Sequence, residues 1–400
     1  MRRLLVMLCA VLALAIPVTA SSAGPRGPAA RGAAADELRA ALDRVVDAGA
    51  PGAVGAVESA TATTTAASGL ADTRTGQPMA PELRFRAGSV TKTLVATVVL
   101  QLVGEGKLAL DDPVARWLPD LLPNGDRVTV RQLLNHTSGI PDYVDLVLPE
   151  DLSTPPEAQP ARFRVWAPEE LVRQALTKPP LFEPGAPGRW SYSNTNYIVV
   201  GLLVERVTGK PLERELRERV FWPADLEDTD FPVDSPFISR PRSRGYSTAR
   251  RDGTGGLVEL TALHPSAAWA AGALVSDADD LARFYRALLG GRLLKAQQLA
   301  EMKQTVPAGF GLGYGLGLFE IPLGGDCGTL WGHNGAIPGF QTYALSTADG
   351  GRQVAITANL YAAPDPVTSA VLFGALGQAC GQAQASKAVE GLERLARITG

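Results

Sequence analysis

Apolar residues recur at helical spacing in several stretches of the chain. The spacing predicts a helix over 36–48, where Leu38, Leu42, Val45 and Val46 share one side, and a longer helix that begins at Ser89 and is apolar on nearly every side. Turn residues separate the helical stretches from short alternating runs, which predict strands. Further helices are predicted over 129–135, 168–176, 196–207, 211–221, 277–289, 295–304 and 366–377, and strands over 53–57, 61–70, 314–321, 329–333, 340–346 and 353–359.

The strand patterns lie towards the two ends of the chain, and the helical patterns dominate the middle. The economical arrangement is one sheet built from both ends, with a helical region inserted between them. We therefore predict an α/β sheet domain formed by residues 36–110 and 276–400, and a helical insertion domain over 111–275.

The first residues are typical of a secretory signal peptide. Met1-Arg2-Arg3 precedes an apolar run over 4–16 and small residues that suit cleavage near Ala20 or Ala23. That run is shorter than the roughly 20 residues that span a bilayer. We predict a signal peptide over 1–23, a flexible linker over 24–35, and a secreted protein without a stable membrane anchor. The basic pair leaves Sec and twin-arginine export both open.

Charge and histidine placement exclude two classes of function. The 38 basic and 41 acidic residues give a net charge of −3, which lacks the cationic excess that a typical nucleic-acid binder uses against phosphates. The three histidines, His136, His264 and His333, show no metal-ligand spacing. We therefore expect no nucleic-acid partner, no metal and no cofactor.

The cysteines favour one disulfide bond. Cys9 leaves with the signal peptide, so Cys327 and Cys380 remain in the exported chain. An even pair in an oxidising compartment predicts a bond between them, and two buried thiols are the alternative.

A first candidate for catalysis lies where the long apolar helix begins. Ser89 and Lys92 are one helical turn apart, so each side chain can reach the other. An amine among apolar groups has a depressed pKa and can take a proton from serine, which is otherwise a weak nucleophile. The helix N-terminus would favour an oxyanion. The alternative is a helix-capping serine followed by a surface-reaching lysine.

Two further segments carry polar residues beside apolar elements. Tyr192 and Asn194 lie in a polar turn before a helix, where a phenol can relay a proton and an amide can donate and accept. His333 and Gly335 end a strand-like run, where glycine permits close approach of a ligand. A helix cap and a strand-end histidine are the alternatives.

Together these segments resemble the motifs of the penicillin-recognising serine hydrolases, which include D-alanyl-D-alanine carboxypeptidases, class C β-lactamases and related esterases. The resemblance covers about residues 36–377 and rests on a Ser-x-x-Lys, Tyr-x-Asn, His-x-Gly order. It implies a β-lactamase/transpeptidase-like α/β fold, with an antiparallel sheet flanked by helices and an inserted all-helical domain.

The resemblance also implies roles in catalysis. Ser89 would attack a carbonyl and form an acyl-enzyme, while Lys92 and Tyr192 would share the proton transfers, with the identity of the general base left open. The backbone N–H groups of Ser89 and Ala336 would form the oxyanion hole. Asn194 would bind the amide carbonyl of the substrate.

The remaining implied roles concern substrate binding. His333 would shape the electrostatics of the site, and Asn334, Gly335 and Ala336 would line it. Trp269 would line the pocket or, equally, belong to the core. His136 and Ser138 form a tempting Ser/His pair that we interpret as structural, because their turn is common in the family without carrying the nucleophile.

Departures from the family pattern bear on the substrate. Carboxypeptidase relatives often place threonines where Asn334 and Ala336 stand, with a nearby arginine, to hold a free carboxylate. Class C β-lactamases usually carry lysine in place of His333. These differences make a carboxypeptidase and a class C β-lactamase less favoured, compared with an esterase or a D-amino-acid amidase.

The leading expectation is an exported, monomeric D-alanyl-D-alanine carboxypeptidase that cleaves peptidoglycan stem peptides and is acylated by β-lactam antibiotics. A β-lactamase-like esterase or D-amino-acid amidase, which would take a small ester or amide, is the first alternative. A non-catalytic penicillin- or peptidoglycan-binding module is the second, although such a module has no need of Ser89, Lys92 and Tyr192 together.

Overall fold

A computed structural model describes residues 28–147, 160–248, 256–309, 311–361 and 365–381. The predicted signal peptide over 1–23 lies outside these residues. Within them, no helix is both long and apolar enough to cross a membrane.

Eleven helices and fourteen strands are present in the described part of the chain. The helices are α1 (Pro28–Asp47), α2 (Thr91–Gly104), α3 (Val130–Leu134), α4 (Val144–Val147), α5 (Pro168–Ala175), α6 (Asn194–Thr208), α7 (Leu212–Leu216), α8 (Trp269–Gly272), α9 (Ala278–Leu289), α10 (Ala296–Met302) and α11 (Asp365–Cys380). The strands are β1 (Gly52–Ser59), β2 (Thr63–Asp72), β3 (Gln77–Pro78), β4 (Phe85–Arg86), β5 (Tyr246–Thr248), β6 (Leu257–Glu259), β7 (Val275–Ser276), β8 (Val306–Pro307), β9 (Gly313–Tyr314), β10 (Phe319–Gly324), β11 (Gly328–Ile337), β12 (Phe340–Thr347), β13 (Arg352–Ala358) and β14 (Leu360–Tyr361).

Both ends of the chain build one antiparallel sheet, as predicted. Its nine strands follow the order β3-β2-β1-β13-β12-β11-β10-β9-β8. The N-terminal β1 pairs with the C-terminal β13, with Ala53 opposite Ala358 and Val57 opposite Val354. The antiparallel sheet flanked by helices is therefore confirmed.

Side chains alternate between the two faces of the sheet. Ala53 and Val57 of β1 belong to a core shared with α1 and α11, whereas Val54 and Ala56 belong to a core on the other face that includes α9. Successive strand residues point to opposite faces, so β1 contributes to both cores. The second core extends without a break through α2 to α5, α6 and α7. The division at residues 111 and 275 stays a prediction.

Three expectations need correction. Helix α1 begins at Pro28, so residues 28–35, predicted as flexible linker, are helical; five alanines there are strong helix formers. The insertion is not all-helical, because β5 pairs with β6 and with β14. The strand predicted over 314–321 is two strands, since Gly317 adopts a positive φ of 77° between them.

A buried cation joins the middle of the chain to the strand before Ser89. Arg86 of β4 is 1% exposed and donates to the carbonyl oxygens of Pro236, Thr261 and Leu263 at 2.7–3.3 Å. Burial lowers its pKa to about 10. These bonds tie Pro236, Thr261 and Leu263 to β4.

The two cysteines of the predicted disulfide lie together. Cys327 is in the turn between β10 and β11, and Cys380 ends α11; their Cα atoms are 5.1 Å apart and the structure joins their sulfur atoms. This separation is within the usual range for disulfides.

Candidate active site

Ser89 lies in a tight turn that leads into α2. The turn Gly88–Val90 is a 3₁₀ helix, and Gly88 has a positive φ of 54°, which suits glycine. Thr91 holds the turn, because its hydroxyl donates to Gly88 O at 2.7 Å and accepts from Leu274 N at 3.1 Å. The sequence therefore fixes Ser89 at the start of a buried helix, as its pattern predicted.

The amine of Lys92 has three hydrogen-bond acceptors around it. Nζ lies 2.9 Å from Ser89 Oγ, 2.8 Å from Asn194 Oδ1 and 2.7 Å from Ala271 O. Lys92 is fully buried, and burial lowers its pKa from 10.5 to about 7, with the charge of Asp142 opposing that change. An amine of this pKa can exchange a proton with serine at neutral pH.

Tyr192 lies beside this pair with its hydroxyl unbonded. Lys92 Nζ is 4.9 Å from the centre of the Tyr192 ring. The hydroxyl oxygen is buried and has no hydrogen-bond partner among the described residues. Burial raises the pKa of Tyr192 well above its ordinary value, and the nearby Ser89 side chain opposes this only in part. The phenol is therefore protonated at neutral pH.

A carboxylate that the sequence analysis missed holds Asn194. Asp142 Oδ2 accepts from the Asn194 backbone N–H at 3.1 Å and from Asn194 Nδ2 at 2.8 Å, while Oδ1 accepts from Val144 N at 3.0 Å. Burial raises the pKa of Asp142, and these bonds together with the charge of Lys92 act the other way. Only the position of Asp142 between the Ser138 turn and a short helix could have drawn attention to it.

Strand β11 passes directly against the nucleophile turn. A Cβ on Gly335 would overlap Ala87 O and would lie 3.4 Å from Ser89 N, and a Cβ on Gly88 would lie 3.0 Å from Ala336 N. The backbone N–H groups of Ser89 and Ala336 are therefore brought to one place. Their joint action on an oxyanion stays a prediction.

His333 is buried in the core. It is fully buried; Nδ1 donates to Asn334 O, and Nε2 accepts from Tyr314 OH at 3.0 Å. Burial and the charge of Lys92 lower its pKa to about 3. His333 is therefore neutral and supplies no positive charge to the site. Tyr314, which fixes it, was not among the predicted site residues.

His136 supports the turn that carries Tyr192. Its Nδ1 accepts from Ser193 N at 3.2 Å and faces Asn196 Nδ2 at 3.1 Å, and its ring centre is 4.3 Å from that of Tyr192. Ser138 donates its hydroxyl proton to Asn196 Oδ1 at 2.7 Å, so this proton is not directed at His136. These positions agree with the structural interpretation of this pair.

Trp269 and the remaining predicted residues differ in their relation to the site. The Trp269 ring packs against Gly201 of α6, where a Cβ would lie 2.7 Å from the indole. With an exposed fraction of 8%, this is a core tryptophan, and the predicted substrate contact finds no support in its position. Asn334 is buried on β11 beside His333. Across the described ranges, no group of three His, Cys, Asp or Glu side chains could hold a metal ion.

Comparison with known proteins gives concordant matches. A family model described as Beta-lactamase matches residues 35–376. A solved D-stereospecific amidohydrolase from Streptomyces sp. has a TM-score of 0.76 and 37% identity, covering 87% of this chain and 99% of that one.

Two curated relatives are similar in sequence. D-aminopeptidase of Brucella anthropi is 31% identical over 294 residues, which are 70% of this chain and 50% of the relative. Esterase EstB of Burkholderia gladioli is 32% identical over 282 residues, 64% of this chain and 71% of the relative. The chain thus spans half the length of the aminopeptidase.

Proposed function

The chain belongs to the beta-lactamase family of serine hydrolases, and we propose from this premise that it is an exported D-stereospecific amidohydrolase. In this proposal it cleaves the amide bond that follows a D-amino acid through an acyl-Ser89 intermediate. The observation that carries the proposal is the buried Lys92 amine 2.9 Å from Ser89 Oγ, with a pKa of about 7.

The contacts of Lys92 favour this amine as the base for acylation. A neutral amine has two N–H donors and one lone pair. Asn194 Oδ1 and Ala271 O can only accept, so they take both donors and leave the lone pair for the Ser89 hydroxyl. Ser89 Oγ then bonds to the substrate carbonyl carbon while its proton passes to Lys92 Nζ.

Tyr192 suits the opposite role. Its hydroxyl keeps its proton at neutral pH and, apart from the nearby Ser89 side chain, has no competing hydrogen-bond partner within the described part of the chain. In our mechanism it gives that proton to the leaving nitrogen as the C–N bond breaks, and it recovers a proton from the Lys92 ammonium. Water then attacks the acyl-enzyme, with Lys92 as base, and releases the acid and Ser89.

Substrate class is supported by the relatives and by the third motif. The amidohydrolase and the aminopeptidase both carry D-stereospecificity in their names. Asn334 and Ala336 replace residues that would hold a free carboxylate, which disfavours the carboxypeptidase expectation. The similarity to Esterase EstB makes an esterase the second candidate. The predicted leader over 1–23 supports export.

One set of assays tests the proposal. Protein beginning at residue 24 and its Ser89→Ala variant are compared on D- and L-phenylalanine amide, a D-Ala-D-Ala peptide, p-nitrophenyl acetate and a fluorescent penicillin. We expect D-amide hydrolysis well above L-amide hydrolysis, and loss of hydrolysis and labelling in Ser89→Ala.

Other outcomes decide between the candidates. Turnover of the ester alone would favour the esterase, and peptide turnover above D-amide turnover would restore the carboxypeptidase. A stable penicillin label without any turnover would favour a binding module. Equal labelling of the Ser89→Ala variant would refute the nucleophile assignment.

A further inference from the structure

Asp142 holds the side chain that Lys92 contacts, although it touches neither Lys92 nor Ser89 by a hydrogen bond. Its Oδ2 accepts both the backbone N–H and the side-chain amide of Asn194. We propose that Asp142 is a positioning residue that locks the Asn194 amide in one orientation, and thereby directs the lone pair of Lys92 to Ser89. The inference rests on the proposed function, because it explains how the base of that reaction is oriented.

The lock follows from what each group can donate. A carboxylate only accepts hydrogen bonds, so the Nδ2 end of the Asn194 amide must face Asp142. The Oδ1 end must then face Lys92, as it does at 2.8 Å. Without the carboxylate, the amide is free to turn its donor end towards the amine, where two donors would oppose each other.

The orientation of Asn194 decides the geometry of the base. Ala271 O accepts one N–H of Lys92 whatever happens at residue 194, because it is a backbone carbonyl of α8. Asn194 Oδ1 supplies the second acceptor only in the locked orientation. Both acceptors are needed to leave the Lys92 lone pair on the side of Ser89.

The charges around Lys92 make the proposal testable by pH. His136 and His333 face Lys92 and are neutral, because burial lowers the pKa of each. Tyr192 and Tyr197 present their rings to it at 4.9 and 5.6 Å, and burial keeps both phenols protonated.

Asp142 is the carboxylate whose charge raises the pKa of Lys92. The side of Asp142 away from Lys92 meets Lys178, whose amine donates to the Asp142 carbonyl oxygen at 3.1 Å.

The experiment measures acylation of Ser89 directly. The burst rate with p-nitrophenyl acetate is recorded from pH 5 to 9 for wild type, Asp142→Asn, the exchange variant Asp142→Asn/Asn194→Asp, and Asp145→Asn. Asp145 is a matched control, since it lies three residues away, is exposed, and pairs only with Lys178 at 3.6 Å among the described residues. Melting temperature is recorded for each variant.

We expect the plateau rate of Asp142→Asn to fall about 10- to 100-fold, the scale of a lost hydrogen bond to a charged group. Its midpoint moves to lower pH, because the charge that favours the Lys92 ammonium is gone. In the exchange variant the carboxylate lies next to Lys92, so the midpoint moves above that of wild type. Asp145→Asn behaves as wild type.

A purely structural role for Asp142 gives a different pattern. The plateau rate of Asp142→Asn would then fall only in step with its melting temperature, while the midpoint would still follow the charge of residue 142. That result, or a wild-type plateau in Asp142→Asn, overturns the proposal. An unmoved midpoint overturns it as well, because Asp142 would then carry no charge and could not fix the Asn194 amide. An ester burst in wild type without D-amide hydrolysis would instead overturn the proposed function and leave this inference standing.

Discussion

The depressed pKa of Lys92 predicts how fast Ser89 is acylated at each pH. A pKa of about 7 leaves half of the amine neutral at pH 7. An ordinary lysine, with a pKa near 10.4, would be neutral in only about one molecule in 2,500 at that pH. Burial of the ammonium without a directly bonded carboxylate is the cause, and it gives Lys92 its use as a base.

The sign of the pH dependence follows from this assignment. Neutral Lys92 is the active form, so the acylation rate rises with pH and levels off above about pH 7. Below that midpoint the rate falls about tenfold for each pH unit. Stopped-flow measurement of the p-nitrophenyl acetate burst between pH 5 and 9 gives the profile.

Two variants separate Lys92 from Tyr192. Lys92→Arg is expected to lose the burst across the whole range, because a guanidinium does not give up its proton there. Tyr192→Phe is expected to keep the midpoint and most of the ester burst, since nitrophenolate leaves without a proton, but to lose amide hydrolysis. A flat profile, or a midpoint that disappears in Tyr192→Phe, would show that Lys92 is not the base.

Three further predictions concern stability and the site wall. Gly335→Ala should abolish acylation and lower the melting temperature because its methyl group overlaps a backbone carbonyl, whereas Gly32→Ala, with open space around it, should leave acylation unchanged. Arg86→Met leaves the carbonyl oxygens of Thr261 and Leu263 without a donor, while Pro236 O keeps the Leu263 N–H, so urea titration should show a loss of about 2 kcal/mol or more. An unchanged urea midpoint would contradict the role given to this cation. Serine at Cys327 and Cys380 should cost about 4 kcal/mol, as expected for closing a loop between residues 53 apart, and an unreduced mass with two alkylatable thiols would refute the bond.

The sequence predicted the elements that have a strong local signal. Helix α2 and the Ser89–Lys92 pair were identified because a long apolar run and a one-turn spacing are local properties. A sheet built from both chain ends was predicted from their strand patterns, and the structure forms it by pairing β1 with β13, which the patterns did not specify. The short β5 was missed, since its three residues carry little pattern and its partner β14 is more than a hundred residues away.

The site residues show the same limit. Asp142 and Tyr314 escaped prediction because each acts through a contact that only the fold creates: Asp142 through Asn194, 52 residues away, and Tyr314 through His333, 19 residues away. His333 was expected to shape the charge of the site, and a sequence cannot reveal that burial removes its proton. Spacing finds residues that share one element, whereas desolvation depends on all the elements around them.

The same burial that makes Lys92 a base also opposes folding. Lowering its pKa from 10.5 to about 7 corresponds to a reduction of roughly 5 kcal/mol in the free energy of unfolding below pH 7. At such pH values Lys92 is charged in both the folded and the unfolded state. Between about pH 7 and 10.5 the unfolded chain binds a proton that the folded chain does not, so this contribution makes stability rise with pH. Three acceptors around Nζ offset part of the cost. His136 and His333 are neutral, so no second buried positive charge adds to this cost. A site built this way needs the surrounding core to hold Lys92 in place, and the continuous packing of α2 with α6 and the sheet provides that support.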